Sequence, residues 1–324
     1  MTTQLSCGLP PGPHFGDLAV LAESLGYSRV WIFDTASLWE DRFVHLALAA
    51  ERTSRIGLGT AVLIPHERSE MSMASSIATI ARLSAGRFRA AFGTGATARR
   101  TLGQRPVTLH AMRDYVATVR SLLAGETVEI DGGPARMLHA DDLAAPRPLH
   151  VDIWLSVFGP RGIALATEIA DGIIAGQPMD HVLPVAMLMP ATVLEPGEDR
   201  DSARVRNAVG PWKVVTYHEA YAIAGPDAVD ALPGGRAWRE ALERLAPPGE
   251  RHLITHEGHV THLTDRDREL LDHTPDGLVT IGTPDEIAAR VAELSGQGLQ
   301  EIIFTPSGPD VERELKAFHA AASR

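Results

Sequence analysis

The sequence predicts an α/β fold, a (β/α)8 TIM barrel, in one domain over residues 1–324 with insertions after strands four, six and seven. Three observations predict it. Short apolar runs alternate with stretches of helical periodicity along the chain, the mark of repeated βα units. Eight such runs can be placed, which suits a closed barrel better than an open doubly wound sheet. The stretch from Ile56 to Gly103 reads as strand, long helix, strand and glycine-rich loop. That loop falls at the C-terminal end of a strand, where parallel α/β proteins bind ligands.

The elements follow in order. The first strand is read at residues 5–9, with Cys7 as a small buried hydrophobe. Leu18, Leu21, Ala22 and Leu25 share a helical face, and Gly26 caps that helix before a strand at 29–33. Phe43, Leu46, Ala47 and Ala50 mark the second helix, followed by a strand at 56–64. Met73, Ile77, Ile80 and Ala81 mark the third, ended at Gly86 before a strand at 88–92. Met112, Val116, Val119 and Leu123 mark the fourth. Residues 125–148, rich in Gly, Pro and Asp, predict a small hairpin before a fifth strand at 151–157. The sixth strand is read at 172–175, the seventh at 212–217 and the eighth at 301–305. Residues 179–210 carry Pro184, Pro190, Pro196 and the charged run GEDRDSAR, and are read as a mobile lid or oligomer contact. Residues 238–276 are too long for an ordinary connection, which points to function.

Composition narrows the partners. The formal charge is −11, the pI is about 5.7, and the basic residues are nearly all scattered arginines. A nucleic-acid footprint needs clustered Lys and Arg, so nucleic acid is excluded as a partner. The single cysteine rules out an internal disulfide and any multi-cysteine metal or iron–sulfur site. No stretch has the length of a membrane span and the N-terminus lacks a basic leader, so a cytoplasmic protein is expected.

Two strand–glycine–helix junctions carry the candidate chemistry. Gly93, Thr94 and Gly95 follow strand four, and backbone N–H groups there can meet a phosphate. A bare GxG after a strand is more often a tight turn. Arg99 and Arg100 raise the odds, because two arginines beside a helix N-terminus suggest an anion to neutralise. The second junction is Phe158, Gly159, Pro160 and Arg161 after strand five, with Pro160 suited to a first helical turn. Asp34 at the end of strand two is a helix cap, a loop turn or a cofactor contact, and Trp39 is rim packing or part of the site. His252, His256, His259 and His262 crowd one segment, but their spacing fits neither HExxH nor a CxxC-type site, so no metal is expected. His256 or Glu257 reaching a substrate as acid or base is the better reading, against a solvated or core-satisfied histidine.

The order LGT-x-V, RLSAGR, GTG resembles the luciferase-like flavin and deazaflavin oxidoreductases, especially the branch that uses coenzyme F420 and includes the methylenetetrahydromethanopterin reductases. The resemblance runs most strongly over residues 17–103 and returns at 159–176 and 280–306. It implies a cofactor at the C-terminal face, with Gly159 and Pro160 matching the family's second cofactor-lining junction. It also implies a non-prolyl cis peptide in strand three supporting the tricyclic ring, here at Ala61–Val62. Asp34 and Trp39 match the F420-dependent sugar-phosphate dehydrogenases. Thr35 and Ala96 do not, because they stand where that subfamily has a His and a catalytic Glu. Thr94 within GTG leans towards F420, with FMN as the alternative. The resemblance implies hydride transfer to or from a small organic substrate. An FMN-dependent monooxygenase and a flavin-binding protein without turnover are the other readings. It further implies a homodimer through helices two and three, where Met71, Met73 and Ala74 with Ser72, Ser75 and Ser76 would allow close approach.

Overall fold

A computed structural model describes residues 3–140, 142–274 and 277–324. The end of the segment read at 238–276 therefore lies outside the described residues. Eight parallel strands close into a barrel: β1 (Gln4–Leu9), β2 (Arg29–Ile32), β3 (Gly57–Thr60), β4 (Phe88–Gly93), β5 (Asp152–Ser156), β6 (Gly172–Ala175), β7 (Val185–Met189) and β8 (Glu301–Phe304). Each strand pairs with its neighbours in sequence, and β8 closes on β1 with Gln4 opposite Glu301.

Local chemistry explains most boundaries. The helix Phe15–Leu25 turns Phe15, Ala19 and Ala22 inward and ends at Gly26, whose φ of 102° suits a residue without Cβ. Asp41 caps the helix Arg42–Arg52 by accepting from the Phe43 and Val44 amides. The third helix, Glu70–Leu83, buries Met73, Ala74, Ile77 and Ile80. Met73 and Ala74 thus belong to the core of this chain, which corrects their assignment to a dimer face. The hairpin expected before β5 is present, Val128–Ile130 against Gly133–Ala135.

The seventh strand is the main correction. Residues 212–217 are helical, divided between Ala203–Lys213 and Val215–Ala224. Val214 and Tyr217 face a cluster with Val229, Trp238 and Leu242, so tertiary packing overrides their β-branched and aromatic character. The true β7 lies within the segment read as a lid. Its run VAMLM is bracketed by Pro184 and Pro190, and proline is harmless just outside a strand, where its missing N–H is not needed. The connection between β6 and β7 is short and carries no helix. No insertion interrupts the barrel there. The long excursion instead leaves β7 and returns at β8, passing, among the described residues, through seven helices and a short parallel pair, Ala191–Val193 with Thr280–Gly282.

The barrel interior is packed solid by Trp31, Ala91, Trp154, Ile174, Ala186 and Ile303. At its N-terminal end the buried Glu301 accepts from Ser6 Oγ at 2.5 Å and Trp31 Nε1 at 2.7 Å, and pairs with Arg89 at 3.3 Å. These contacts fill that end of the interior, and the cavity beside it, of about 340 Å³, lies outside the filled core against Gln4, Arg29, Arg89 and Asp152. Among the described residues, no helix is long and apolar enough to cross a membrane.

Candidate active site

A cavity of about 430 Å³ opens at the C-terminal mouth. Its wall begins where β3 stops. The Ala61–Val62 peptide is cis, as the resemblance implies. Ladder pairing resumes only as a single bridge from Leu63 to Phe92, which is why the strand is shorter than the apolar run 56–64. Gly93 accommodates this arrangement, since a Cβ there would fall 2.6 Å from Val62 Cγ2. Gly95, at φ 70°, then turns the chain into the one-turn helix Ala96–Arg100. Ala61, Val62, Gly93, Thr94 and Gly95 all line the cavity.

Asp34 lies at the same mouth. Its side chain is 1% exposed and bonds Arg42 at 2.5 Å, and Arg42 reaches Glu67 at 3.4 Å. Burial pushes the Asp34 carboxyl well above the usual range, and the Arg42 guanidinium opposes that shift. Its second oxygen, Oδ2, has no hydrogen-bond partner, so the wall offers an unused acceptor. Asp34 thus caps no helix, the following one being capped by Asp41, and lies buried in the loop after β2. Trp39 completes this side, 5.9 Å from the Phe33 ring and 6.5 Å from the His259 ring.

The other expected residues divide. Phe158 lines the cavity although it is 74% exposed, so it overhangs the mouth. Gly159, Pro160 and Arg161 are exposed and not among the lining residues; Gly159, at φ 72°, and Pro160 open the helix Gly159–Ile169 at the rim. The two arginines already have partners within the chain. Arg99 Nε donates to the Arg105 carbonyl at 2.7 Å, and Arg100 pairs with Glu219 at 3.2 Å. Arg100 lines a second cavity, of about 620 Å³, together with Arg105, Arg251, His252 and His256.

His256 and Glu257 are corrected as acid–base candidates on the barrel cavity. Glu257 is exposed and does not line it. His256 is buried behind the wall, and burial, then His259, His218 and Arg100, press its pKa down to about 2. An imidazole held neutral in this way does not supply a cationic acid near neutrality. The excursion delivers other groups: Trp212, Val215, Glu219, His259 and Val260 line the cavity, and Leu188 joins them from β7. Leu188 and Glu219 escaped notice because β7 was hidden between prolines and residues 212–217 read as a strand. The structure also gathers His218, His256 and His259, whose nearest ring nitrogens lie within 4.8 Å of one another. The spacing argument against a metal considered only residues 252–262, whereas the third imidazole comes from a separate helix.

A family profile described as luciferase-like monooxygenase matches residues 2–301. The 5,10-methylenetetrahydromethanopterin reductase of Methanolobus tindarius is 29% identical over 326 residues, covering 92% of each chain. The F420-dependent glucose-6-phosphate dehydrogenase of Microbacterium testaceum is 27% identical, over 93% of this chain and 90% of that one. The structure of the coenzyme F420-dependent tetrahydromethanopterin reductase from Methanopyrus kandleri superposes with a TM-score of 0.65 at 19% identity, covering 98% of both chains.

Proposed function

Because the chain belongs to the luciferase-like monooxygenase family, we propose that it is an oxidoreductase using coenzyme F420 to move a hydride to or from a small organic substrate. The glucose-6-phosphate dehydrogenase relative is named as F420-dependent, which supports this choice within the family. The observation that carries the reading is one wall: Ala61 and Val62, the Gly93–Gly95 turn and the unpartnered Asp34 Oδ2 share a single cavity. An apolar floor beside one buried acceptor fits a planar heteroaromatic ring with a hydrogen-bond donor on its edge.

When bound, the deazaflavin supplies the hydride chemistry. The chain's own residues orient and enclose. Ala61 and Val62 would support the ring face, with Phe33 and Trp39 beside it. Asp34 Oδ2 would accept from the ring edge, and Arg42 holds the carboxylate in place. The backbone at Gly93–Gly95 would receive the phosphate-bearing tail, since no Cβ blocks its approach. Phe158 would cover the mouth and limit water entry. Proton transfer falls to Glu219, a carboxylate on the cavity wall that Arg100 orients. Thr35 and Ala96 leave the sugar-phosphate dehydrogenase positions without such groups. Two copies would pair through the helix Arg42–Arg52, where Val44 and Leu48 are 58% and 53% exposed one turn apart.

The test is competition for the purified protein between F420 and FMN, read by the absorbance of the retained cofactor. F420 retained with one equivalent per chain is expected. FMN retained in its place, with oxygen consumed on reduction, would overturn the F420 assignment in favour of a monooxygenase. Small-angle scattering of a monomer at micromolar concentration would remove the dimer.

A further inference from the structure

We propose that His218, His256 and His259 form a binding site for one divalent transition-metal ion, with Zn²⁺ as the probe of choice. The three residues come from two places in the excursion. His218 lies on the helix Val215–Ala224, His256 closes the helix Arg251–Thr255, and His259 follows in the next turn. Gly258, at φ 73°, shapes that turn, because a Cβ there would fall 2.3 Å from the His262 carbonyl oxygen. The rings meet edge-on, His218 to His256 at 5.8 Å and His256 to His259 at 5.5 Å between centroids. Tetrahedral Zn²⁺ with nitrogen ligands needs N···N separations of about 3.4 Å, so modest ring rotations from the observed arrangement close the site.

Hydrogen bonding singles out the same atoms. Asp267, itself fully buried, accepts from His218 Nε2 at 3.1 Å and from Trp238 Nε1 at 2.8 Å, while Thr264 Oγ1 donates to its other oxygen at 2.7 Å. This leaves His218 Nδ1 as a lone pair with no partner. The carboxylate–histidine pairing is the outer-shell arrangement that fixes the tautomer of a metal-bound imidazole. His259 Nε2 lies 3.4 Å from Thr97 Oγ1, again leaving Nδ1 unpartnered, and His256 has neither nitrogen bonded. Four buried ring nitrogens without partners in one place call for a bound species, since such groups are costly when left dry. A dication answers all three rings at once. Three neutral imidazoles favour Zn²⁺ and its neighbours over Mg²⁺ or Ca²⁺, which prefer oxygen. The Arg100 charge nearby is matched by Glu219 at 3.2 Å. The ion would sit in the partition between the two cavities, because His259 lines one and His256 the other. It would fasten two parts of the excursion to each other beside the barrel mouth.

The full-length chain, stripped with a chelator, is titrated first with Zn²⁺ and then with Co²⁺, whose visible absorption reports coordination. One equivalent per chain, a low-coordinate cobalt spectrum and a raised thermal midpoint are expected. His256→Ala should lose the cobalt band and weaken Zn²⁺ binding at least a hundredfold. His259→Gln, at a partly exposed turn, tests the same point if the buried substitution fails to fold, with a loss of at least tenfold. Asp267→Asn should weaken binding by about 10- to 100-fold while keeping the stoichiometry. A wild-type chain without saturable binding overturns the proposal, and so does Zn²⁺ affinity unchanged in His259→Gln. Neither readout depends on F420 or on turnover.

Discussion

Gly172 on β6 stands directly opposite Trp154 on β5, and a Cβ at the glycine would fall 2.2 Å from Cε2 of the indole. Across the barrel the pattern repeats: Gly59 on β3 pairs with Trp31 on β2, where a Cβ would fall 2.5 Å from Cε3. The two indoles, 5.9 Å apart, fill the interior because each has a strand neighbour without a side chain. Gly172→Ala should therefore destabilise by about 1–3 kcal/mol through overpacking. Urea unfolding with an unchanged m-value checks this, and a wild-type midpoint would show that the indole has room to move.

Phe158 is placed to bind rather than to fold. Being 74% exposed, it contributes little to the core. Phe158→Ala should change stability by no more than about 0.5 kcal/mol. The ring would be covered only when ligand fills the cavity, and burial of that size is worth about 1.5–3 kcal/mol. Cofactor affinity, measured by equilibrium titration, should fall roughly tenfold or more. Equal affinity would place the ligand away from this mouth.

Glu219 and Glu257 make a matched pair for proton transfer. Glu219 lines the cavity, whereas Glu257 is exposed outside it. Glu219→Gln should slow single turnover by about 10²–10⁴ with little change in cofactor affinity, and Glu257→Gln should leave the rate alone. The reverse result in rapid-mixing experiments would return the chemistry to the turn after His256.

Glu198 sets a pH dependence of stability remote from the site. Hydrogen bonds from Arg204, at 2.5 and 2.8 Å, with others from Ser202 and the Glu195 amide, hold its carboxyl at about 2 instead of the ordinary 4.5. The unfolded chain therefore takes up this proton first as pH falls. The contribution is full above about 4.5 and is lost on the way down to about 2. Glu198→Gln should flatten the pH dependence of the urea midpoint across that window. Parallel wild-type and mutant curves would show the pairing to be inert.

Much of the barrel was legible because period and punctuation agreed. The seven strands β1–β6 and β8 carry apolar runs of strand length, and Gly26 and Gly86 end helices with φ values of 102° and 81°. The seventh strand was not legible. VAMLM is as apolar as its neighbours, but Pro184 and Pro190 beside it read as loop, while the β-branched residues near Val214 fold as helix against Trp238. Local propensity is a weak vote once a tertiary cluster forms.

The site divides in the same way. Alternating strand and helix patterns indicated the fold class and the glycines of GTG marked the turn, whereas the cis bond at Ala61–Val62 was implied only by the family resemblance, since nothing in an Ala–Val pair favours a cis peptide. Only the tertiary structure decided which titratable groups meet. Glu219 reaches the cavity and Glu257 does not, since the side a helix or turn presents depends on what it packs against. His218 joins His256 and His259 because Asp267 and Trp238 hold its ring in place from the other side. Spacing along a chain carries no information about such a meeting when the partners come from separately packed helices.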